Sequence, residues 1–266
     1  MAVARETLEH VTPRPLWYGL QQLYRVGYKE PAWRLSARRK ASVARLEALR
    51  DRHRGERCFV LGNGPSLART DLRRLASERT FGLNRIYLKF GELGFATTYH
   101  VCVNTLVIEQ CAREIEALPC PKFIGWDARS HIRFTDDMVF VRALGQPGFY
   151  DDPTDGLWEG STVTYVAIQL AFFMGFDPVI LIGVDHDFAT KGEPGKVVVS
   201  EGDDPNHFDP GYFGKGFRWQ LPNLPTSEDA YRLARQHFES RGRRILDATI
   251  GGKLTVFEKV DYDRLF

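Results

Sequence analysis

Arg57-Cys58-Phe59-Val60-Leu61-Gly62-Asn63-Gly64-Pro65-Ser66-Leu67 reads as a short apolar strand that breaks at Gly-Asn-Gly and reopens as a helix, expected over 67–76. Two glycines allow a tight turn and the close approach of a ligand to the backbone, and proline is tolerated in a first helical turn because its missing donor has no partner there. The unpaired N–H groups of such a helix start favour an anion. No Gly-Lys-Ser/Thr follows, which excludes a Walker loop, and the third glycine of Gly-x-Gly-x-x-Gly is missing, which disfavours a dinucleotide-binding dehydrogenase. An ordinary strand-to-helix turn has the same signature, so the rest of the chain has to decide.

Downstream, strands are expected at 57–61, 80–83, 98–103, 122–126, 138–142, 179–184 and 243–247, and helices near 67–76, 105–117, 161–174 and 227–240. This alternation predicts an α/β, Rossmann-like fold: a mostly parallel sheet with helices on both faces. Residues 185–225 break the pattern with Gly, Pro, Asp, Asn and aromatics, and a connection of that length is expected to be a lid. A polar residue follows most strands: Asn63, Asn84, Asn104, Asp127, Asp185, and Asp247 with Thr249. In an open parallel sheet the ligand crevice lies outside the carboxyl ends of the strands, so these side chains converge on one rim; some of them serve only as turn formers.

Glu159-Gly160-Ser161-Thr162 opens a segment, Val163 to Met174, that is apolar nearly all round and closes at Gly175. Such a helix is buried, and its first N–H groups need a partner. A bound phosphate would serve, and so would a cap by Ser161 or Thr162. Val179 to Val184 is a buried strand ending in Asp185-His186-Asp187. Asp185-x-Asp187 formally fits a cation- and diphosphate-binding signature, while a lone Asp185 at a strand end would equally hold loop backbone or a ribose hydroxyl.

The net charge of +2 divides unevenly: residues 1–54 hold twelve Lys/Arg against five Asp/Glu, a balance of +7, leaving −5 for 55–266. The expected division is therefore a basic helical arm, 1–54, with a helix over 42–53, and a nucleotide-binding domain, 55–266. The arm, with Trp17, Tyr18, Tyr24, Tyr28 and Trp33, either touches anionic lipid or is a solvated helical arm packing its aromatics on the domain. The remainder is too acidic for broad nucleic-acid binding. Cys58, Cys102, Cys111 and Cys120 show neither CxxC nor zinc spacing, and Met1–His10 lacks a signal-peptide core; the expectation is a cytoplasmic protein, peripheral to the inner membrane face if the arm binds lipid.

In order, Gly62-Asn63-Gly64-Pro65-Ser66-Leu67, Asn84, Gly160-Ser161-Thr162, Gly175-Phe176 and Gly183-Val184-Asp185 resemble the bacterial sialyltransferases that use CMP-sialic acid. The chain is also similar to a related group of bacterial proteins with a pterin diphosphokinase-like domain, which includes proteins of surface-polysaccharide loci and flagellin-glycosylation factors. The resemblance covers roughly 57–250. It implies a Rossmann-like domain whose nucleotide is held by Gly62, Asn63, Gly64, Pro65 and Ser66, by Asn84 and Asn104, and by Gly160, Ser161 and Thr162, with Asp185 at the rim. The reaction it implies is metal-independent, inverting transfer of a CMP-activated acidic sugar (sialic acid or Kdo-like) to a cell-surface glycan acceptor. The family's Ser-His-Tyr-x-x-His element corresponds to Asn206-His207-Phe208-Asp209-Pro210-Gly211-Tyr212, so the basic second histidine falls on Pro210. That leaves His207 or Asp209 as general base, with Asp209 as an orienting group for His207, and Asp185 or His186 as rivals. Tyr212 is the positional candidate for gripping phosphate. Two other functions stay open: an ATP-dependent diphosphokinase, with Mg2+ on Asp185, Asp187, Asp203 and Asp204, and a non-catalytic nucleotide-binding protein.

Overall fold

Parallel strands that are wound in two directions from a central strand build this protein. The computed structural model describes residues 30–266, so Trp17, Tyr18, Tyr24 and Tyr28 of the expected arm lie outside the described residues. The chain divides between Ala41 and Ser42, not at 54. The helix expected over 42–53 is found as α1, Ala37–Glu47, followed by turns. Residues 42–55 belong to the larger unit: Ser42 Oγ accepts from Phe140 N at 2.9 Å, and the backbone N–H groups of Asp51, His53 and Gly55 donate to Phe173, Met174 and Gly175. In the smaller unit Arg34 bonds Glu30 one helical turn away, at 2.7 Å.

The larger unit holds strands β1 (Cys58–Leu61), β2 (Arg79–Leu83), β3 (Tyr99–Cys102), β4 (Lys122–Gly125), β5 (Met138–Val141), β6 (Val179–Ile182), β7 (Val197–Val199), β8 (Arg218–Gln220), β9 (Ile245–Asp247) and β10 (Glu258–Lys259). Eight form one sheet in the order β10-β9-β6-β1-β2-β3-β4-β5, with every pair parallel. The unit's longer helices, beyond a single turn at Phe90–Leu93, are α2 (Thr105–Glu116), α3 (Val163–Phe173) and α4 (Leu224–Ser240).

Handedness distributes those helices. The chain steps one way from β1 to β5, then returns past β1 and steps the other way through β6, β9 and β10. Parallel crossovers are right-handed, so reversing the direction moves the connecting helices to the opposite face. Accordingly α3 and α4 share a face with Cys58, Val60, Phe81 and Val101 in one core cluster, whereas the buried Val107, Ile108, Cys111 and Ile115 of α2 lie outside that cluster. Helix α3 is buried from Thr164 to Phe173, as its apolar sequence requires.

Two elements differ from expectation. The helix expected over 67–76 is a pair of short 3-10 turns, Pro65–Arg69 and Leu72–Leu75, because Thr70 is extended between them and the Asp71 side chain caps the second turn. The lid segment carries a two-stranded antiparallel ribbon, β7–β8. No helix among the described residues is long and apolar enough to cross a membrane.

Candidate active site at the switch point

The winding reverses between β1 and β6, and the two strand ends there nearly touch. Gly62 N donates to Ile182 O at 2.8 Å and Gly64 N to Gly183 O at 2.9 Å. A Cβ on Gly62 would stand 2.2 Å from Gly183 O, and one on Gly64 would stand 1.8 Å from Asp185 Oδ2. Close packing of β1 against β6 therefore requires both glycines. Pro65 begins the first 3-10 turn, and the anion at that turn is part of the chain: Asp185 accepts from Ser66 N on Oδ1 (3.0 Å) and from Ser66 Oγ on Oδ2 (2.7 Å). The N–H read from sequence as a phosphate donor thus faces a carboxylate, and Asp185 is committed to holding β6 onto the β1 turn.

Several other rim residues also turn inward. Asn104 caps α2, its Oδ1 accepting from Leu106 N (2.9 Å) and Val107 N (3.3 Å). Asp247 is buried between Thr249 N and Lys259 Nζ, and Thr249 Oγ1 accepts from Val184 N. Thr162 caps α3 by accepting from Thr164 N at 3.3 Å, and its hydroxyl meets Tyr231 Oη at the same distance. Gly160 and Ser161 both take left-handed backbone, φ +57° and +59°; a Cβ at Gly160 would run into Ala230 of α4, and the Ser161 side chain is exposed.

Two rim residues, one beyond β1 and one beyond β2, keep a buried acceptor atom unpaired among the described residues. Asn63 donates from Nδ2 to Leu83 O (3.1 Å), while its buried Oδ1 has no partner among the described residues. Asn84, at φ +47° beyond β2, has a buried Oδ1 in the same condition. The lid docks on these two positions. Phe208 N donates to Asn63 O at 2.9 Å, and Arg85 N donates to Tyr212 Oη at 3.2 Å. Tyr212 is fully buried, and burial drives its phenol well above the ordinary range. Tyr212 is thus a packing platform: its oxygen accepts from Arg85 N, and the side chain is fully buried beneath the lid.

His207 lies flat on that platform, ring centroids 4.0 Å apart and planes 7° apart. Its Nδ1–H donates to Asp204 Oδ2 at 2.7 Å, and the Asp204 side chain is only 2% exposed. Asp204 Oδ1 accepts from Asn206 N. In the neutral imidazole this bond places the proton on Nδ1 and the lone pair on Nε2, which has no partner among the described residues. The orienting carboxylate is therefore Asp204, three residues before the histidine; Asp209 instead accepts from Gly211 N at 2.7 Å. The polar run Asp203-Asp204-Pro205-Asn206-His207 contained the signal, but spacing alone does not choose between carboxylates on either side. His186, φ +55°, pairs through Nε2 with Glu228 of α4 at 3.1 Å and is a separate His–carboxylate pair. With Asp185 on Ser66 and Asp204 on His207, the four carboxylates considered for a cation do not form a cluster. Among the described residues no group of three or more His, Cys, Asp or Glu is placed to hold a metal.

No protein-family model matches the chain, and no curated protein matches it. Among solved structures it is similar to one described as "Structure of MAf glycosyltransferase from Magnetospirillum magneticum AMB-1", at 13% identity and a TM-score of 0.50, over 86% of this chain. The chain spans 39% of the length of that protein. At this identity the likeness is one of fold: a Rossmann-like α/β domain of the kind that glycosyltransferase contains.

Proposed function

We propose that the protein is a glycosyltransferase that moves a CMP-activated acidic sugar onto a glycan acceptor of the cell surface, with inversion and without a metal. His207 is its general base. The observation that carries this reading is the Asp204–His207 pair, seated by Phe208 on the Asn63 loop with Nε2 unpaired. The unpaired Oδ1 atoms of Asn63 and Asn84 are acceptors suited to a base's exocyclic amine and to ribose hydroxyls, and the exposed Ser161 hydroxyl beside the start of α3 is a donor for phosphate.

In the reaction His207 Nε2 takes the proton of the acceptor hydroxyl as that oxygen bonds to the anomeric carbon. The bond from the anomeric carbon to the phosphate oxygen breaks on the opposite side, and CMP leaves with the electron pair. The imidazolium formed is stabilised by the Asp204 carboxylate, as in other His–Asp pairs.

Turnover of CMP-sialic acid by the full chain, assayed with and without a chelator, tests the reading. His207→Ala should lose about a hundred- to ten-thousandfold in kcat with little change in donor binding. Near-normal turnover in that variant, or activity abolished by the chelator, would sink it.

A further inference from the structure

A cavity of about 180 Å3 lies between the start of the lid and the entry to α4, walled by Phe188, Lys191, Pro194, Leu221 and Leu224. It is open to solvent on one side, with space on the order of one sugar ring. Its walls are aliphatic and aromatic apart from Thr190 and Lys191, the composition of a pocket in which a few polar groups set orientation. Lys191 makes no ion pair with any described residue, so its cation is available to a ligand.

Two contacts tie the cavity to the proposed base. The Phe188 ring that lines it meets the His207 ring edge-on at 6.4 Å. The buried Asn206 side chain, next to His207, accepts from Ala189 N and Thr190 N and donates to Thr190 Oγ1 (2.9 Å), holding the cavity wall in register with the histidine. A second cavity, about 230 Å3, lies across Thr190 and is lined by Glu201, Asp203 and Asp204. The two neighbouring sites are opposite in charge, and an anion is favoured only in the first.

We infer that the cavity at Lys191 is the acceptor subsite and that it takes an anionic saccharide, a sugar ring bearing a carboxylate or a phosphate. This deepens the proposed transfer and rests on it. The ring's C–H face packs on Phe188 and the aliphatic walls, its anion pairs with Lys191, and a hydroxyl on its far edge points toward His207.

Binding of glucuronate, glucose 6-phosphate and glucose to the full-length protein and to Lys191→Gln, followed by ligand-observed NMR, tests the inference. Lys191 is exposed, so the variant should fold. One or both anions should bind the native protein at least about fivefold tighter than glucose, on the scale of a charge-assisted hydrogen bond, and should lose that advantage in Lys191→Gln. A preference for one anion over the other tells carboxylate from phosphate. Equal binding of all three sugars, a preference that survives Lys191→Gln, or no binding at tens of millimolar would overturn it. CMP binding, measured in the same samples, separates the two proposals: CMP bound without any saccharide preference sinks the subsite alone, and saccharide selectivity without CMP binding sinks the donor reading alone.

Discussion

At Gly64 and Asp185 a sequence signature for ligand binding has become an internal contact, and that exchange can be measured. Asp185 accepts two hydrogen bonds from Ser66, and bonds to a charged acceptor contribute about 1.5–3 kcal/mol each. Asp185→Ala should therefore lower unfolding stability in urea by about 2–4 kcal/mol. Gly64→Ala should do similar damage, because its Cβ would stand 1.8 Å from Asp185 Oδ2. In the double variant the clash has nothing to meet, so the two losses should fall short of adding by about 1 kcal/mol or more. Full additivity would mean that Gly64 is required for some reason other than Asp185. His100 of β3 poses a different residue-scale question. It is fully buried, neither ring nitrogen has a partner among the described residues, and burial, reinforced by Lys122, lowers its pKa to about 3. The unfolded chain takes up a proton near the ordinary value of about 6.5 that the folded protein refuses, so this residue removes up to about 1.4 kcal/mol per pH unit as pH falls below that value. His100→Leu should gain on the native protein steadily between pH 7 and pH 4 in urea titrations. A stability gap that stays constant with pH would show that His100 is not kept neutral.

The start of the lid segment is tied by side-chain bonds within the lid itself, which makes its local stability separable from that of the sheet. Asn206 makes three of them, to Ala189 N, Thr190 N and Thr190 Oγ1. At about 1 kcal/mol for each hydrogen bond, Asn206→Ala should speed amide exchange across 188–208 by roughly thirty- to two-hundredfold. Exchange in α3 should hardly change, since that helix is buried along its length. Uniform acceleration across both segments would show that the lid and the sheet open as one unit. The helix expected over 67–76 fails for a local reason. Its apolar spacing was present, but Thr70 stays extended and Asp71 starts a second short turn, so local hydrogen bonding overrides periodicity.

For the whole molecule, the proposed donor predicts a selective ligand response. CMP at about a hundred times its Kd should stabilise the fold by about 2.7 kcal/mol, a rise in Tm on the order of 5–10 °C for a chain of this size. Equal concentrations of UDP, GDP or ATP should do less, with or without magnesium. A larger shift with ATP that requires magnesium would favour the diphosphokinase chemistry. The parallel sheet, the buried helix at 163–173 and the importance of Gly62-Asn63-Gly64 were legible in the chain because each follows from a local pattern: apolar runs, an all-round apolar helix, glycines at a strand end. Where each polar group goes was not legible. Whether a rim side chain faces outward or back onto the backbone depends on which strands become neighbours, and β1 meets β6 across more than a hundred residues of sequence. Only that pairing turns Asp185 onto Ser66. The lid's own folding gives His207 the Asp204 carboxylate and the Tyr212 face; only its docking on Asn63 and Arg85 brings that pair to the rim of the sheet. Local patterns set the elements; contacts distant in sequence set where the rim's polar groups turn and what lies over them.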